Sequence, residues 1–324
     1  MAELNQFAIS RALGSTMSRG ETPRFGRLGL LPLVAGRTPR PAVPAITPGS
    51  LGNGYDAAIA KAFTDVSEKT LGRGQIIGRD RLLADPQLAR EFIRAARKLG
   101  VNAPPALINR RLMRLGKIGG RLPKATEKKP TTSIDDRNVF AIEYGVVRIA
   151  HLYGATVDEI LCEEFLGNEY QKIVEALAPG YPPVIYRLGA LYLRKTRNLK
   201  SVKKDAIENL DPSEVEGLWV DLGSVSEVKQ RSLTKIGPCI LDLYEPGRSL
   251  YVAKSDSDAH LAQTFLNQQL WDSIGNHFWH PDMGRIYMKA LPRSKLKEKL
   301  ASWELRLIQH LEPVFNIKVD KDAA

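Results

Sequence analysis

The chain has 324 residues, of which 43% are hydrophobic, so it is long enough to form two or three compact units. Its 47 Lys and Arg residues outnumber its 36 Asp and Glu residues, and the net charge of +11 favours polyanionic partners such as nucleic acids. A basic soluble protein without such a partner is the alternative. Two cysteines are too few for a disulfide framework, and the longest apolar run, 28–35, is interrupted by Pro32 and too short to span a bilayer. We therefore expect a cytoplasmic protein with no membrane partner.

The first segment, residues 1–52, has the composition of a tail. It contains six arginines, no lysine and two acidic residues, with Pro, Gly, Ser and Thr throughout. Such a composition lacks the apolar periodicity of a folded domain. We predict a basic disordered arm that orders on a nucleic acid or a protein partner, with an organelle transit peptide as the alternative.

The middle of the chain contains an internal repeat. Residues 82–117 slide by 78 positions onto residues 160–195 without a gap, and the Pro-Pro pairs at 104–105 and 182–183 coincide. Self-similarity of this kind indicates a duplicated structural unit.

The sequence pattern in each copy of the repeat predicts a helical module. Proline suits the first turn of a helix, so each Pro-Pro pair separates one helix from the next. We predict two related three-helix modules, at 53–125 and 126–205. Their predicted helices lie at 55–69, 86–99 and a segment after Pro105 in the first copy, and at 137–153, 164–177 and a segment after Pro183 in the second.

The helices after the proline pairs, together with the residues that directly follow them, are rich in basic residues. A helix with a basic face can lie along phosphates or enter a major groove. A solvated charged face is the alternative. The residues that we predict to contact nucleic acid are Arg110, Arg111, Arg114, Lys117, Arg121, Lys124, Arg187, Arg194, Lys195 and Arg197.

The last segment is 206–324, and within it residues 237–316 begin with strand signals and end with a helix and a short closing run. Two apolar runs, 238–244 and 249–255, are joined by a turn that contains Pro246 and Gly247, which predicts a β-hairpin. Residues 300–311 have apolar residues at the three-four spacing of an amphipathic helix.

Glu304 is an unusual residue in that helix. It lies between Leu300 and Ile308 at four-residue steps, in the middle of the apolar stripe. A carboxylate there is partly desolvated, which is costly unless a cation or hydrogen-bond donors meet it. Either a metal ion or an internal arginine is implied, unless Glu304 tilts towards water at the edge of the stripe.

The order of these elements in residues 237–316 resembles the GIY-YIG nuclease domain, and it covers that domain almost from end to end. The elements that carry the resemblance are Leu250-Tyr251-Val252, Glu304 and the closing Pro313-Val314-Phe315-Asn316. The resemblance implies a small mixed sheet flanked by helices. It also implies that Tyr251, Glu304 and Asn316 are catalytic, with Glu304 holding a divalent metal such as Mg²⁺.

The chain departs from the family pattern at two catalytic positions. The first motif reads Pro238-Cys239-Ile240 and lacks its tyrosine, and no Arg or Lys occurs near 261–262, where the family has an arginine. Phosphodiester cleavage needs positive charge at the scissile phosphate and a group that activates water. The departures therefore favour an inactive copy that needs no cofactor.

Together these patterns predict an α+β chain of two related helical modules followed by a GIY-YIG-like domain. The favoured function is binding of nucleic acid, DNA in the first place and RNA as the second possibility, by a protein with a degenerate nuclease-like domain. The alternatives are an active metal-dependent endonuclease and a structural subunit that binds other proteins within a nucleoprotein complex.

Overall fold

The computed structural model describes residues 49–127, 134–197, 210–228, 236–256, 260–277, 285–297 and 299–317. All of these residues belong to one compact unit. The predicted arm, 1–52, lies outside the described residues except for its last four positions.

The N-terminal part of the described chain is helical. Proline occupies the first turn of three of its helices, and Thr156 and Glu159 form a capping box at the start of another. The helices are α1 (Asp56–Leu71), α2 (Arg79–Ala84), α3 (Pro86–Lys98), α4 (Pro105–Lys117), α5 (Val139–Tyr153), α6 (Val157–Cys162), α7 (Glu164–Leu177) and α8 (Pro183–Thr196).

The helix bounds follow the repeat in the sequence. The helices α6, α7 and α8 start 78 residues after α2, α3 and α4, respectively. Each copy therefore has four helices where the sequence predicted three. The short helices α2 and α6 were missed because six residues are too few to show a helical period.

The C-terminal part contains a four-stranded sheet with the strand order β1-β4-β2-β3. The predicted hairpin is formed by β2 and β3, whereas β1 and β4 were not predicted. The elements are β1 (Val220–Ser224), α9 (Val225–Val228), β2 (Cys239–Glu245), β3 (Arg248–Ser255), α10 (His260–Phe265), α11 (Gln268–His277), β4 (Tyr287–Pro292) and α12 (Leu300–Leu311).

The fold class is α+β, as predicted, but the sheet is not mixed. All three strand pairings among the described residues are antiparallel. Because β3 and β4 both run antiparallel to β2, they run parallel to each other on opposite sides of it. The helices α10 and α11 lie between them in the chain, and no parallel pair forms because β2 separates the two strands.

Each face of the sheet packs against a different core. On β2, Leu241 and Leu243 face the core that contains the helices α1–α8, while Ile240 faces α12 through Trp303 and Leu307. The alternation follows from the two-residue period of a strand. The sheet is thus a middle layer, and its inner face shares one hydrophobic core with the helical repeat.

Candidate functional site

The apolar stripe of α12 carries Glu304 into the protein interior, where the residue is only 6% exposed. Arg197, the C-cap residue of α8, meets its carboxylate. The Nη1 atom lies 3.3 Å from Oε2, and Nη2 donates to Oε1 at 3.3 Å. The backbone N–H of Lys254 on β3 also donates to Oε1, at 3.1 Å. Of the two partners that the sequence implied for Glu304, the structure has the internal arginine.

A second carboxylate, Glu143 of α5, lies on the other side of Arg197 and is fully buried. Arg197 Nε donates to its Oε1 at 3.1 Å and Nη2 to its Oε2 at 3.3 Å. The hydroxyl of Tyr251 donates to Oε2 at 3.1 Å, and the backbone N–H of Ile317 donates to Oε1 at 3.0 Å. We call Glu143, Arg197, Tyr251 and Glu304 the Arg197 cluster.

The protonation of the Arg197 cluster is set by its burial and by its charges. Burial by itself lowers the pKa of Arg197, but Glu143 and Glu304 outweigh this effect and raise it above the ordinary value. Burial raises the pKa of Tyr251 well above its ordinary value, and the charge of Glu143 adds to the shift. Tyr251 is therefore a neutral hydrogen-bond donor to Glu143.

Asn316 forms hydrogen bonds with the outer edge of β3, the last strand of the sheet. Its Oδ1 accepts from the backbone N–H of Val252 at 2.8 Å, and its Nδ2 donates to the Val252 carbonyl at 2.8 Å. The chain just before it continues the pairing, because Phe315 N–H donates to the Leu250 carbonyl at 2.8 Å. The three residues predicted as catalytic, Tyr251, Glu304 and Asn316, thus meet along one strand. Each of them satisfies a buried polar group there.

The helical repeat covers this part of the sheet. The ring of Phe140 on α5 packs edge-on against Tyr251 at 4.9 Å between centroids, and Phe265 of α10 lies 5.9 Å away. Leu261 and Ala262, at the positions where the family has its arginine, are fully buried. Solvent does not reach the Tyr251 hydroxyl, since the residue is 1% exposed.

The Arg197 cluster does not fit a divalent cation. Magnesium requires oxygen ligands in near-octahedral geometry and keeps several water molecules. Here a guanidinium contacts both oxygens of Glu304, at the place that a metal ion would need. No group of three His, Cys, Asp or Glu residues suited to a metal occurs within the described ranges. We derive no metal-dependent step for this site.

Three of the ten predicted nucleic-acid contacts are buried in the helical repeat: Arg111, Arg187 and Arg197. Arg111 Nε lies 2.6 Å from Asp56 Oδ1, and this hydrogen bond lowers the pKa of Asp56. Arg111 and Arg197 thus direct their charge to internal carboxylates, which the helical period alone did not reveal.

Four further predicted contacts form ion pairs at the surface. Arg110 lies 3.0 Å from Glu163, and Lys195 lies 2.8 Å from Asp80. Arg194 pairs with Asp158, which also lies 3.9 Å from Lys117. The pairs of Arg110, Lys117 and Lys195 connect the two copies of the repeat, because Arg110, Lys117 and Asp80 belong to the first copy and their partners to the second.

The remaining three predicted contacts, Arg114, Arg121 and Lys124, are exposed. No carboxylate of the described chain lies within 4.0 Å of them. Arg114 and Arg121 both act electrostatically on Asp56, so the fold brings them to the same end of the helical repeat. We call these three residues the α4 basic surface.

Sequence reasoning missed two sets of residues. The first is Glu143, whose only signal is a single carboxylate within the otherwise apolar stretch 139–147. The second is a set of exposed cations on α3, which shares no motif with the helices after the proline pairs. Its members are Arg90, Arg94, Arg97 and Lys98.

Comparisons with protein-family models, curated proteins and solved structures gave no match to this chain. No helix in the described part of the chain combines the length and apolar character that crossing a bilayer requires.

Proposed function

We propose that this chain is a nucleic-acid-binding protein, with DNA as the first candidate ligand, whose GIY-YIG-like region does not cleave. The observation that carries the proposal is the pairing of Glu304 with Arg197. The residue that the resemblance implies as a metal ligand has both oxygens within 3.3 Å of a buried guanidinium. In this arrangement the carboxylate stabilises the fold and does not coordinate a metal ion.

The order of elements supports the likeness to a GIY-YIG domain. A β-hairpin, two helices, a strand beside the first hairpin strand and a helix with a buried glutamate follow one another in the chain. The helical repeat then covers the side of the sheet where Tyr251 lies. Cleavage of a phosphodiester would need that side of the sheet to be open. Its covering by the helical repeat therefore favours a domain that has kept the nuclease-like fold and lost the activity.

The binding part of the proposal is supported by charge. The formal net charge is +11, and the α4 basic surface has no carboxylate within 4.0 Å among the described residues. Exposed cations of this kind release counterions from phosphates when they bind nucleic acid. An assembly subunit that binds only protein is the competing class, and the binding experiment below separates the two.

Cleavage is tested with wild-type protein and the Glu304→Gln variant, each incubated with plasmid, single-stranded DNA and RNA in Mg²⁺, Mn²⁺ or chelator. We expect the same absence of cleavage from both proteins. Nicking by wild-type protein that disappears in the variant would establish the endonuclease alternative.

Binding is tested by replacing Arg114, Arg121 and Lys124 together with glutamine. We expect weaker binding to all DNA sequences. We also expect the slope of log affinity against log salt to become shallower, by about 0.9 for each phosphate that the variant no longer neutralises. The fold should be retained, because none of the three side chains is buried.

The matched control removes three exposed cations that are already paired: Lys61 with Asp65, Arg137 with Asp135 and Lys172 with Glu169. It should leave affinity and salt slope nearly unchanged. Equal decreases in affinity for both triple variants would mean that binding is a general effect of net charge. No binding of any nucleic acid by wild-type protein would favour the assembly subunit.

A further inference from the structure

Arg187 of α8 is a buried cation that does not belong to the Arg197 cluster. It is 5% exposed, and no residue in the described ranges forms an ion pair with it within 4.0 Å. Its Nε has no hydrogen-bond partner there. A buried guanidinium without a bonded carboxylate is costly, because burial removes its hydration and no described carboxylate takes its place. In agreement, burial lowers the pKa of Arg187.

The fold reserves space for this guanidinium. Gly167 lies in the first turn of α7, and a Cβ atom there would come within 2.8 Å of Arg187 Nη2 and 3.0 Å of Cζ. At the 78-residue offset of the repeat, Arg187 corresponds to Asn109 and Gly167 corresponds to Ala89. The second copy thus differs from the first in both residues of the contact, and a side chain is absent where the larger cation lies.

Two carboxylates act electrostatically on Arg187, those of Glu164 and Asp85, but neither forms an ion pair with it. Asp85 acts on it electrostatically, but its carboxylate caps α3 by accepting from the backbone N–H groups of Gln87 and Leu88. Glu164 also acts on it but lies 3.8 Å from Arg90 and is largely exposed. Arg90 is close enough to lower the pKa of Arg187 further. Glu164 and Gly167 lie three residues apart in the first turn of α7 and are therefore neighbours on its surface. Arg90 lies 3.8 Å from Glu164, and Arg187 Nη2 lies 2.8 Å from the Cβ position of Gly167, so the two arginines lie at the same end of α7.

The exposed side of α3 extends this positive charge. Arg90, Arg94 and Lys98 follow one another at four-residue steps, so they lie on one helix face at intervals of about 6 Å. Arg97 lies beside Lys98 in the last turn. The carboxylate of Glu91, on the flank of this face, lies 2.8 Å from Lys69. The face fits a partner with regularly repeated negative charge.

We infer that Arg187 and Arg90 together bind a phosphate group, and that this phosphate belongs to a nucleic-acid backbone lying along the exposed face of α3. The forked guanidinium of arginine matches the geometry of phosphate oxygens. A bound phosphate would also supply the negative charge that no described residue places in an ion pair with Arg187. The inference rests on the proposed function for the source of the phosphate, but not for the site itself.

The test uses the full-length chain and the Arg187→Met variant, which keeps an unbranched side chain of similar length and removes the charge. For binding to a 20-base-pair duplex we expect an affinity that is about tenfold lower and a salt slope that is shallower by about 0.9. The melting temperature in phosphate-free buffer should stay equal or rise, because an uncompensated buried charge has been removed. A purely structural arginine gives the opposite result, a lower melting temperature with unchanged affinity, and that result would overturn the inference.

A double-mutant cycle with Arg90→Met tests whether the two arginines share one phosphate. We expect the double variant to bind only slightly more weakly than Arg187→Met alone. Independent contacts would instead give additive effects on the binding free energy and would exclude a shared site. The control is Lys297→Met, an exposed cation beyond β4, which should change affinity by less than twofold.

Pyrophosphate separates the site from the proposed function. In a thermal-shift experiment it should stabilise wild-type protein and not Arg187→Met. If wild-type protein binds no nucleic acid but pyrophosphate has this selective effect, the phosphate site stands and the proposed function fails. If nucleic acid binds equally to both proteins and pyrophosphate stabilises neither selectively, the phosphate site fails and the proposed function stands. If neither ligand affects wild-type protein, both are overturned.

Discussion

Arg197 lies between Glu143 and Glu304 and so joins a helix of the repeat to a helix that packs on the far face of the sheet. Its Nε is 3.1 Å from Glu143, and its Nη1 is 3.3 Å from Glu304. All three side chains are buried, so their charges are compensated chiefly by one another and by the surrounding donors. Arg197, which the sequence predicted to contact nucleic acid, instead links two buried carboxylates inside the protein.

We predict that replacing Arg197 costs much more stability than replacing Glu304. Arg197→Met leaves two carboxylates buried without their cation and should destabilise the protein by about 3–5 kcal/mol. Glu304→Gln keeps an oxygen for the Lys254 N–H and leaves Arg197 paired with Glu143, so its cost should be about 1 kcal/mol or less. Urea unfolding measures both values.

Combining Arg197→Met with Glu143→Gln and Glu304→Gln should recover part of the stability that Arg197→Met removes, because the buried charges are then eliminated together. Additive destabilisation in this triple variant would contradict the coupling. It would mean that each side chain contributes through its own contacts.

We predict that Asn316 stabilises the edge of β3. Asn316→Leu keeps a similar size but leaves the N–H and the carbonyl of Val252 without their partner, at a cost of about 1–3 kcal/mol for each group. Asn102→Leu, in an exposed loop, is the matched control and should change stability by less than about 0.5 kcal/mol. Equal unfolding free energies for the two variants would show that water replaces the Asn316 contacts.

We predict a pH-dependent effect at Asp242 of β2, which is buried and accepts from Ser249 Oγ at 2.6 Å. Burial raises its pKa above the ordinary value, and this effect outweighs the opposing attraction of Lys289 at 3.1 Å. The folded state therefore favours the protonated form. The stability from this group is complete below its unfolded pKa of about 3.9 and is lost as pH rises through the folded pKa.

Asp242→Asn should consequently be more stable than wild-type protein at pH 7, with the difference shrinking towards pH 3. The ammonium of Lys289 keeps its contacts with the rings of Trp219 and Tyr244, at 4.7 and 5.0 Å from their centroids. Thermal unfolding across this pH range measures the difference. If the variant is instead less stable than wild-type protein at pH 7 and the difference disappears towards pH 3, the folded pKa of Asp242 is lowered and not raised.

We predict that the helical repeat depends on the sheet for its stability. A fragment of residues 53–205 retains Glu143 and Arg197 but removes Tyr251, Glu304 and the Ile317 N–H from their partners. It also exposes the side of α5 that packs on the sheet. We expect a lower melting temperature and binding of a hydrophobic dye. A fragment as stable as the full chain would show that the two helical modules need no contact with the sheet.

The sequence determined the local elements because their signals lie within a few residues of one another. The Pro-Pro pairs give the starts of α4 and α8, the Pro-Gly turn gives the β2–β3 hairpin, and the apolar stripe gives α12 with Glu304 inside it. It also implied that Glu304, if buried, has a cation or hydrogen-bond donors, since burial of a carboxylate is costly wherever it occurs.

Only the tertiary structure decided which cation that is. Arg197 precedes Glu304 by 107 residues and, like the exposed Arg114, belongs to the basic residues within or directly after a helix that follows a proline pair. The helical period cannot show which of these cations faces solvent and which faces a distant carboxylate, because it describes positions within one helix only. The same limit hid Glu143 and the buried position of Arg187. Their environments are made by helices and strands that are remote in the sequence.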